Sequence, residues 1–417
     1  HERTDGALVV LTGDPTTVVP AAARAVGAGT VHASEEFTPY GRHRDQAVAA
    51  RLADDDVGWV TTGSPYAVSP GRVTKDDGSP YRVFTPYSRA WRRLGWRAPA
   101  LTPRAVDWQV YDGPHRADLP VAPDVDGLPE PTEAAARRTW HRFRDDHLDD
   151  YAKLRNDPGA DATSRLSPYL HLGLIHPRTV LADLDGRHGA GVDTWRTELC
   201  WREFYADVLH HHPASAWGNF QERFDRLEWD AGRAAEDRFH RWQRGETGFP
   251  IVDAGMRQLA AEGWMHNRVR MITASFLVKD LHLPWQWGAR FFLDHLVDGD
   301  LASNNHGWQW TAGTGTDASP YVRVFNPTLQ AEKYDPDGDY VRRWVPELRG
   351  LPGKAAHTPW DHDVDGYVGR MVDHADERAE ALRRYEDIAR RASEAHRYSR
   401  ASEAHGNSRA DEAQQRD

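Results

Sequence analysis

The sequence predicts a chain in two structural classes, parallel α/β at its start and all-α over most of the rest. Three observations lead there. Short apolar runs alternate with helix-like stretches over residues 1–85, a proline-rich stretch without period fills 86–131, and a helical apolar period holds over 132–390. The 417 residues leave room for about two or three domains.

In the first segment, Ala7–Leu11 reads as a buried strand, TTVVPAAARAVG as a helix ending at Gly27, and TVHASEE as a second strand. GRHRDQAVAARLADDD reads as a second helix and VGWVTTG as a third strand. Strands alternating with helices build a parallel, Rossmann-like sheet. The chain opens on His1, not on an initiator methionine, and enters a strand almost at once, so its first strands are expected to be missing. RAPALTPRAVDW and LPVAPDVDGLPEPTE repeat proline without period and predict a long surface linker. The helical segment follows in EAAARRTWHRFRDDHLDDYAKL, TELCWREFYADVLHHH and GMRQLAAEGWMHNRVRMITASFLVKDL. Residues 391–417 repeat SEAHRYSRA as SEAHGNSRA with little apolar content, which predicts a disordered polar tail.

Bulk properties narrow the function classes. No run of ~18 apolar residues is present, so no membrane span is expected. The single cysteine, Cys200, excludes an internal disulfide framework and a cysteine-ligated zinc site, which favours the cytoplasm. A net charge of −11 argues only mildly against nucleic acid, because binding follows local patches. The 17 tryptophans are the abnormal quantity, and packing explains each one better than it explains the total.

Several clusters carry chemistry. Glu198, Trp201, Arg202 and Tyr205 share one helix face by spacing, and no residue near Glu198 in the sequence demands an ion pair with it. An amphipathic helix with a snorkelling arginine explains the same face about as well. Trp264, Asn267 and Met271 also share a face by spacing, flanked by Arg268 and Arg270, and suit a flat heteroaromatic ligand or plain core packing. TSRLSPYL sets hydroxyls at the start of a helix, where a phosphate or a simple N-cap is the expected use. DGDLASNNHGWQW crowds carboxylates, amides and tryptophans into one stretch, as a site handling a polar cofactor and an electron would. GTGTDA lacks a surrounding βαβ unit, and HHHP reads as a solvated helix end and not a metal tract. The residues by themselves lead to a helical domain holding an aromatic, phosphate-bearing cofactor.

WREFY, TGFPIVDAGMRQL, GWMHNRVRMITASFLVKDL, DGDLASNNHGWQW and GTDASPYVRVFNP resemble, in order, the photolyase/cryptochrome family, and more narrowly its class I cyclobutane pyrimidine dimer photolyases. VFTPYSRAW carries a thinner likeness near residue 85. The resemblance implies a partial α/β antenna domain, a linker and a helical domain binding FAD, which is active when reduced. It implies a second chromophore, with deazaflavin favoured over methenyltetrahydrofolate because no folate-type signature is evident. Tyr151, Thr163, Ser164, Arg165, Leu166, Ser167, Asp298, Gly299 and Asp300 resemble FAD contacts, Arg270 the partner of Asp298, and Asn304 the amide opposite the flavin's central-ring nitrogen. Trp308, Trp285 and Trp229 resemble the electron-carrying indoles. Glu198, Trp201, Asn267, Met271 and Trp310 resemble the lesion pocket, and Arg155, Arg202, Arg268, Arg323 and Lys333 contacts to DNA phosphates.

The implied activity is light-driven repair of pyrimidine dimers in DNA by a monomer, with a blue-light receptor on the same scaffold as the rival. Asn267 and Met271 stand where (6-4) photolyases carry histidines, and Asn304 where plant and animal cryptochromes carry Asp or Cys, which favours dimer repair. His306 departs from the small residue of many relatives.

Overall fold

A computed structural model describes residues 4, 6–101, 105–121, 127–316 and 323–391. The tail repeat and most of the PYVR motif lie outside the described residues. By contact the chain divides into two units. The first comprises His1–Arg155, Ala160–Ala216 and Leu296–Asn304, the second Asn156–Gly159, Trp217–His295 and Asn305–Asp417.

The first unit opens with the α/β elements. Helix α1 (Pro15–Ala25) starts where Asp14 accepts from the Thr16 amide and Pro15 presets the first turn. Strand β2 (Thr30–Ala33) runs parallel to β3 (Gly58–Thr61), pairing Thr30 with Gly58 and Ala33 with Thr61. Between them lies α2 (Pro39–Ala53), capped by Thr38 on the Gly41 amide. Ala23, Val48, Leu52 and Val57 form the core that holds both helices on the strands. The parallel pair, and the helices beside it, agree with the reading from sequence.

Two expectations in this region are corrected. Strand β1 covers only Val10–Leu11, half-buried, and pairs antiparallel with β4 (Arg116–Ala117), while Leu8 is exposed. A two-residue partner is too short to cover a buried run. The stretch read as aperiodic linker opens inside a helix, α3 (Phe84–Leu94). Pro86 falls in its first turn, where proline is tolerated, and Phe84, Tyr87, Ala90 and Trp91 make its buried face.

The helices of the first unit continue with α4 (Glu133–Asp146), α5 (Tyr151–Leu154), α6 (Ser167–His171), α7 (Pro177–Asp183) and α8 (Ala190–His211). Helix α8 is the axis of the unit. Its Glu203 accepts from the amides of Ala67 (2.5 Å) and Val68 (3.0 Å) and from Trp91 Nε1 (2.6 Å), and its Asp207 accepts from the Gly71 amide (2.7 Å). Its last turn is not solvated as expected. His210 packs edge-on against Phe37 (5.9 Å), and burial pushes its imidazole down to about 4.

The second unit holds α9 (Arg233–Gln243), α10 (Pro250–Glu262), α11 (Asn267–Lys279), α12 (Trp285–His295), α14 (Pro327–Tyr334), α15 (Asp339–Trp344) and α16 over 374–391. Helix α13 (Leu301–Ala312) begins in the first unit and ends in the second. The continuous period of GMRQLAAEGWMHNRVRM breaks between α10 and α11, because Gly263 takes a left-handed φ of 60° and His266 caps α11 through the Arg268 amide (3.2 Å).

Candidate active site

In the first unit the site residues gather on α8. Trp201 is half-buried, and the Phe84 ring of α3 stacks on it face to face at 3.6 Å and 6°. Phe204 meets Trp201 edge-on (5.7 Å) and Tyr205 lies tilted against it (5.4 Å). One turn earlier, Glu198 forms an ion pair with Arg155, the residue that ends α5. Glu198, with no residue near it in the sequence that demands an ion pair, finds its partner through the fold. The pair joins residues 43 apart, a separation that sequence spacing cannot reveal. Arg155, expected at DNA phosphates, is committed to this carboxylate.

Arg202 is also corrected. Its guanidinium donates to the carbonyls of Pro65 (3.0 Å) and Leu170 (3.4 Å) and lies over the Tyr66 ring (4.6 Å), so it braces the unit internally.

The expected cofactor loop lies in the same unit. Thr163, Ser164 and Arg165 line a cleft with Arg142, His147 and Asp161. With Thr139, three hydroxyls, two guanidiniums and an imidazole against one carboxylate make a donor set that fits a phosphate-bearing cofactor. Arg165 holds a left-handed φ of 47°, a costly conformation for a residue with a Cβ, and pairs with Asp161 (3.2 Å). Leu166 is buried, and Ser167 begins α6, a helix of five residues that adds little dipole. Tyr151 is buried edge-on against Phe143 (5.3 Å). Asp298 is buried and Gly299 half-buried, while Asp300 caps α13 by accepting from the Ser303 amide (2.7 Å). Asn304 is half-buried on the first turn of that helix.

In the second unit the tryptophans separate by environment. Trp308 is buried, with Phe292 (5.0 Å) and Trp242 (6.1 Å) edge-on to it. Gly288 admits it, since a Cβ there would stand 2.1 Å from the Trp308 Cη2 atom. Trp242 escaped the sequence reading, because a lone tryptophan on an amphipathic helix carries no motif. Trp285 is buried and donates through Nε1 to Asn219 Oδ1 (3.0 Å). Trp229 is half-buried against Phe224, Leu227, Tyr385 and Ile388. Trp310 is half-buried and lines a cleft with Lys279, Arg323 and Phe325, where burial pulls the Lys279 ammonium down to about 7 against the pull of Asp280.

Asn267 is exposed and Met271 half-buried one turn later on α11. Trp264 lies in the turn before the His266 cap, so the three-residue face expected from spacing reduces to the two residues on the helix. Arg270 donates to the Met265 carbonyl (2.8 Å). Arg268 bonds Asn156 Oδ1 (2.8 Å) and lies over the Tyr334 ring (4.4 Å), with Lys333 at 5.1 Å from the same ring. Arg323 and Lys333 are exposed and Arg268 is half-buried. His306 is buried on α13.

Residues 195–387 match the FAD-binding domain of DNA photolyase and residues 2–104 match the DNA photolyase family model. A deoxyribodipyrimidine photo-lyase of Vibrio cholerae is 40% identical over 388 residues, covering 87% of this chain and 80% of that protein. The Escherichia coli deoxyribodipyrimidine photo-lyase is 42% identical over 336 residues, covering 76% and 70%. Among solved structures, a class III photolyase from Agrobacterium tumefaciens superposes with a TM-score of 0.82 at 38% identity, covering 93% of this chain and 85% of that one. A Synechocystis cryptochrome superposes at 0.79 with 28% identity, covering 91% and 84%. With an FAD-binding domain of the photolyase type and relatives about 40% identical over most of its length, the chain belongs to the DNA photolyase family.

Proposed function

We propose that the chain repairs cyclobutane pyrimidine dimers in DNA, driven by light, as a deoxyribodipyrimidine photo-lyase. The observation that carries the reading is the outer face of α8, where a half-exposed carboxylate and a half-exposed indole stand one turn apart. Such a face offers a flat, heteroaromatic lesion both a packing surface and an acceptor for its imide proton. A dimer within the duplex is out of reach, and photolyases are among the enzymes that take their target out of the stack.

FAD would be held by Tyr151, the Thr163–Ser167 loop, Arg270, Asp298, Gly299, Asp300 and Asn304, and when bound and reduced it supplies the light-excited electron. The chain's own residues do the rest. Trp201 and Trp310 would pack against the flipped bases. Glu198 would hydrogen-bond the lesion at its carbonyl or imide and stabilise its one-electron-reduced form. Asn267 and Met271 would be further contacts of the lesion. Buried Trp308 would pass electrons to the cofactor from Trp285 and half-buried Trp229, with Trp242 as a further indole beside Trp308. Arg268, Arg323 and Lys333 would meet DNA phosphates, which makes binding fall with salt.

The finer assignments rest on the motif residues. Asn267 and Met271 support dimer repair over (6-4) repair, Asn304 supports repair over signalling, and the class I placement rests on the resemblance of the ordered motifs, beside a solved relative that is a class III photolyase. The segmentation into antenna domain (1–85), linker (86–131), helical domain (132–390) and tail (391–417), a deazaflavin or methenyltetrahydrofolate antenna, a monomeric state and a cytoplasmic location belong to the same proposal. No helix among the described residues is long and apolar enough to cross a membrane.

The test is illumination of the FAD-loaded, chemically reduced protein with a dimer-containing oligonucleotide. The proposal expects intact pyrimidines to form in blue light and not in darkness. A protein that binds FAD and responds to light but restores no dimer is the blue-light receptor instead.

A further inference from the structure

We infer that Phe84 is a positioning residue for lesion recognition, a ring on α3 that fixes the indole of Trp201 from behind. The inference rests on the reading of Trp201 as a lesion-packing residue.

The geometry of the stack leads to this. The two rings lie 3.6 Å apart and 6° from parallel. Aromatic quadrupoles favour offset or edge-on contacts over a face-to-face sandwich, so attraction between these rings does not by itself choose the arrangement. Something else must hold Phe84 there, and α3 is clamped along α8 at several points. Tyr87 lies 5.1 Å from Phe204, Trp91 donates to Glu203 Oε2 at 2.6 Å, and Arg92 reaches Thr197 Oγ1 at 3.0 Å. These contacts, at Trp201, Phe204, Glu203 and Thr197, tie α3 to α8 along its whole length, so α3 cannot roll or slide without breaking the buried Trp91–Glu203 bond. Phe84 itself is buried and also meets Phe204 edge-on at 5.7 Å.

The consequence concerns Trp201. The stack fills one side of the indole, Phe204 and Tyr205 bound it further, and the half-exposed remainder is what a ligand can meet. A side chain already fixed in its binding rotamer loses no freedom when the lesion arrives. Removing the ring behind it releases the indole to other rotamers, and the cost falls on binding of the lesion and not on binding of phosphates.

The experiment uses the FAD-loaded protein, a duplex carrying one cyclobutane dimer and the same duplex undamaged. Phe84→Leu keeps apolar bulk and removes the ring, and Phe84→Met serves the same purpose should the first variant not fold. The inference expects the ratio of damaged to undamaged affinity to fall about three- to tenfold, with undamaged affinity and the flavin-to-protein ratio unchanged. In a Trp201→Leu background, Phe84→Leu should then lower the ratio no further. Equal losses on both duplexes, effects that add in the double variant, or an unchanged ratio overturn it. If Trp201→Leu alone leaves the ratio intact, the reading of Trp201 fails and takes the inference with it, whereas an effect of Trp201→Leu without one of Phe84→Leu removes the inference only.

Discussion

Glu198 and Glu203 stand on one helix, five residues and about 140° apart around its axis, and meet different chemistry. Glu203 is buried under three neutral donors, and burial pushes its carboxyl up to about 7 against their opposing pull. Glu198 keeps 30% of its side chain exposed and faces a single guanidinium whose side chain is 29% exposed. A carboxylate surrounded by backbone amides and an indole N–H from its own unit is an anchor. A carboxylate with one half-exposed partner has an acceptor site to offer a ligand. On this comparison the two faces of α8 divide the work, the inner holding the 64–72 loop and Trp91 of α3, the outer being the face proposed to serve the lesion.

The largest effect that can break the comparison belongs to the anchor. Glu203→Ala leaves two buried amides and the Trp91 N–H without their acceptor, at an expected cost of about 3 kcal/mol or more in unfolding free energy. Urea denaturation checks it, and a loss below about 1 kcal/mol would remove Glu203 from that role.

A pH series sharpens the same point. The folded-state carboxyl of Glu203 titrates at about 7, above the ordinary value of 4.5, and Asp207 at about 6 shifts the same way from 3.8. A raised carboxyl contributes stability that is full below its unfolded value and lost as pH rises through its folded value. Glu203 should therefore contribute a decline in unfolding free energy from about pH 4.5 to about pH 7, on the order of 3 kcal/mol, against the opposing rise from His210, whose imidazole is pushed down to about 4. Glu203→Gln should flatten that slope relative to the parent protein. Parallel slopes in the two would place the titration elsewhere.

The smallest effect is expected at the outer pair. Arg155→Ala should change stability by less than about 1 kcal/mol, because a half-exposed ion pair is screened by water and salt. DNA affinity should change little as well, since Arg155 is held on Glu198. A salt slope of binding less steep by about one would show that Arg155 leaves Glu198 for a phosphate in the complex.

Much of this was legible in local patterns, and the rest was not for identifiable reasons. Helices α1 and α2 and strands β2 and β3 followed from period, caps and turns, all of which act over a few residues. Helix α3 was missed because Pro86 and four arginines nearby look like linker, while its apolar face is only four residues. The break between α10 and α11 was written in Gly263, yet the apolar period runs through it. The candidate residues on α8 were readable from spacing. Their partners were not, because Arg155, Phe84 and the 64–72 loop are distant in sequence and only tertiary packing brings them there. Trp242 was hidden for the same reason, since nothing in its neighbours announces the ring of Trp308.

The central claim is that the outer face of α8 acts on the lesion during electron transfer, and Glu198→Ala tests it most directly. The measurement is the yield of repaired dimer per absorbed photon, taken with the protein's FAD chemically reduced and alongside lesion affinity and the flavin-to-protein ratio. The account predicts a yield lower by about threefold or more, with a much smaller loss of DNA affinity and an unchanged flavin ratio. An unchanged yield, or a loss of yield that tracks a loss of FAD, would contradict it and make Glu198 an anchor like its neighbour.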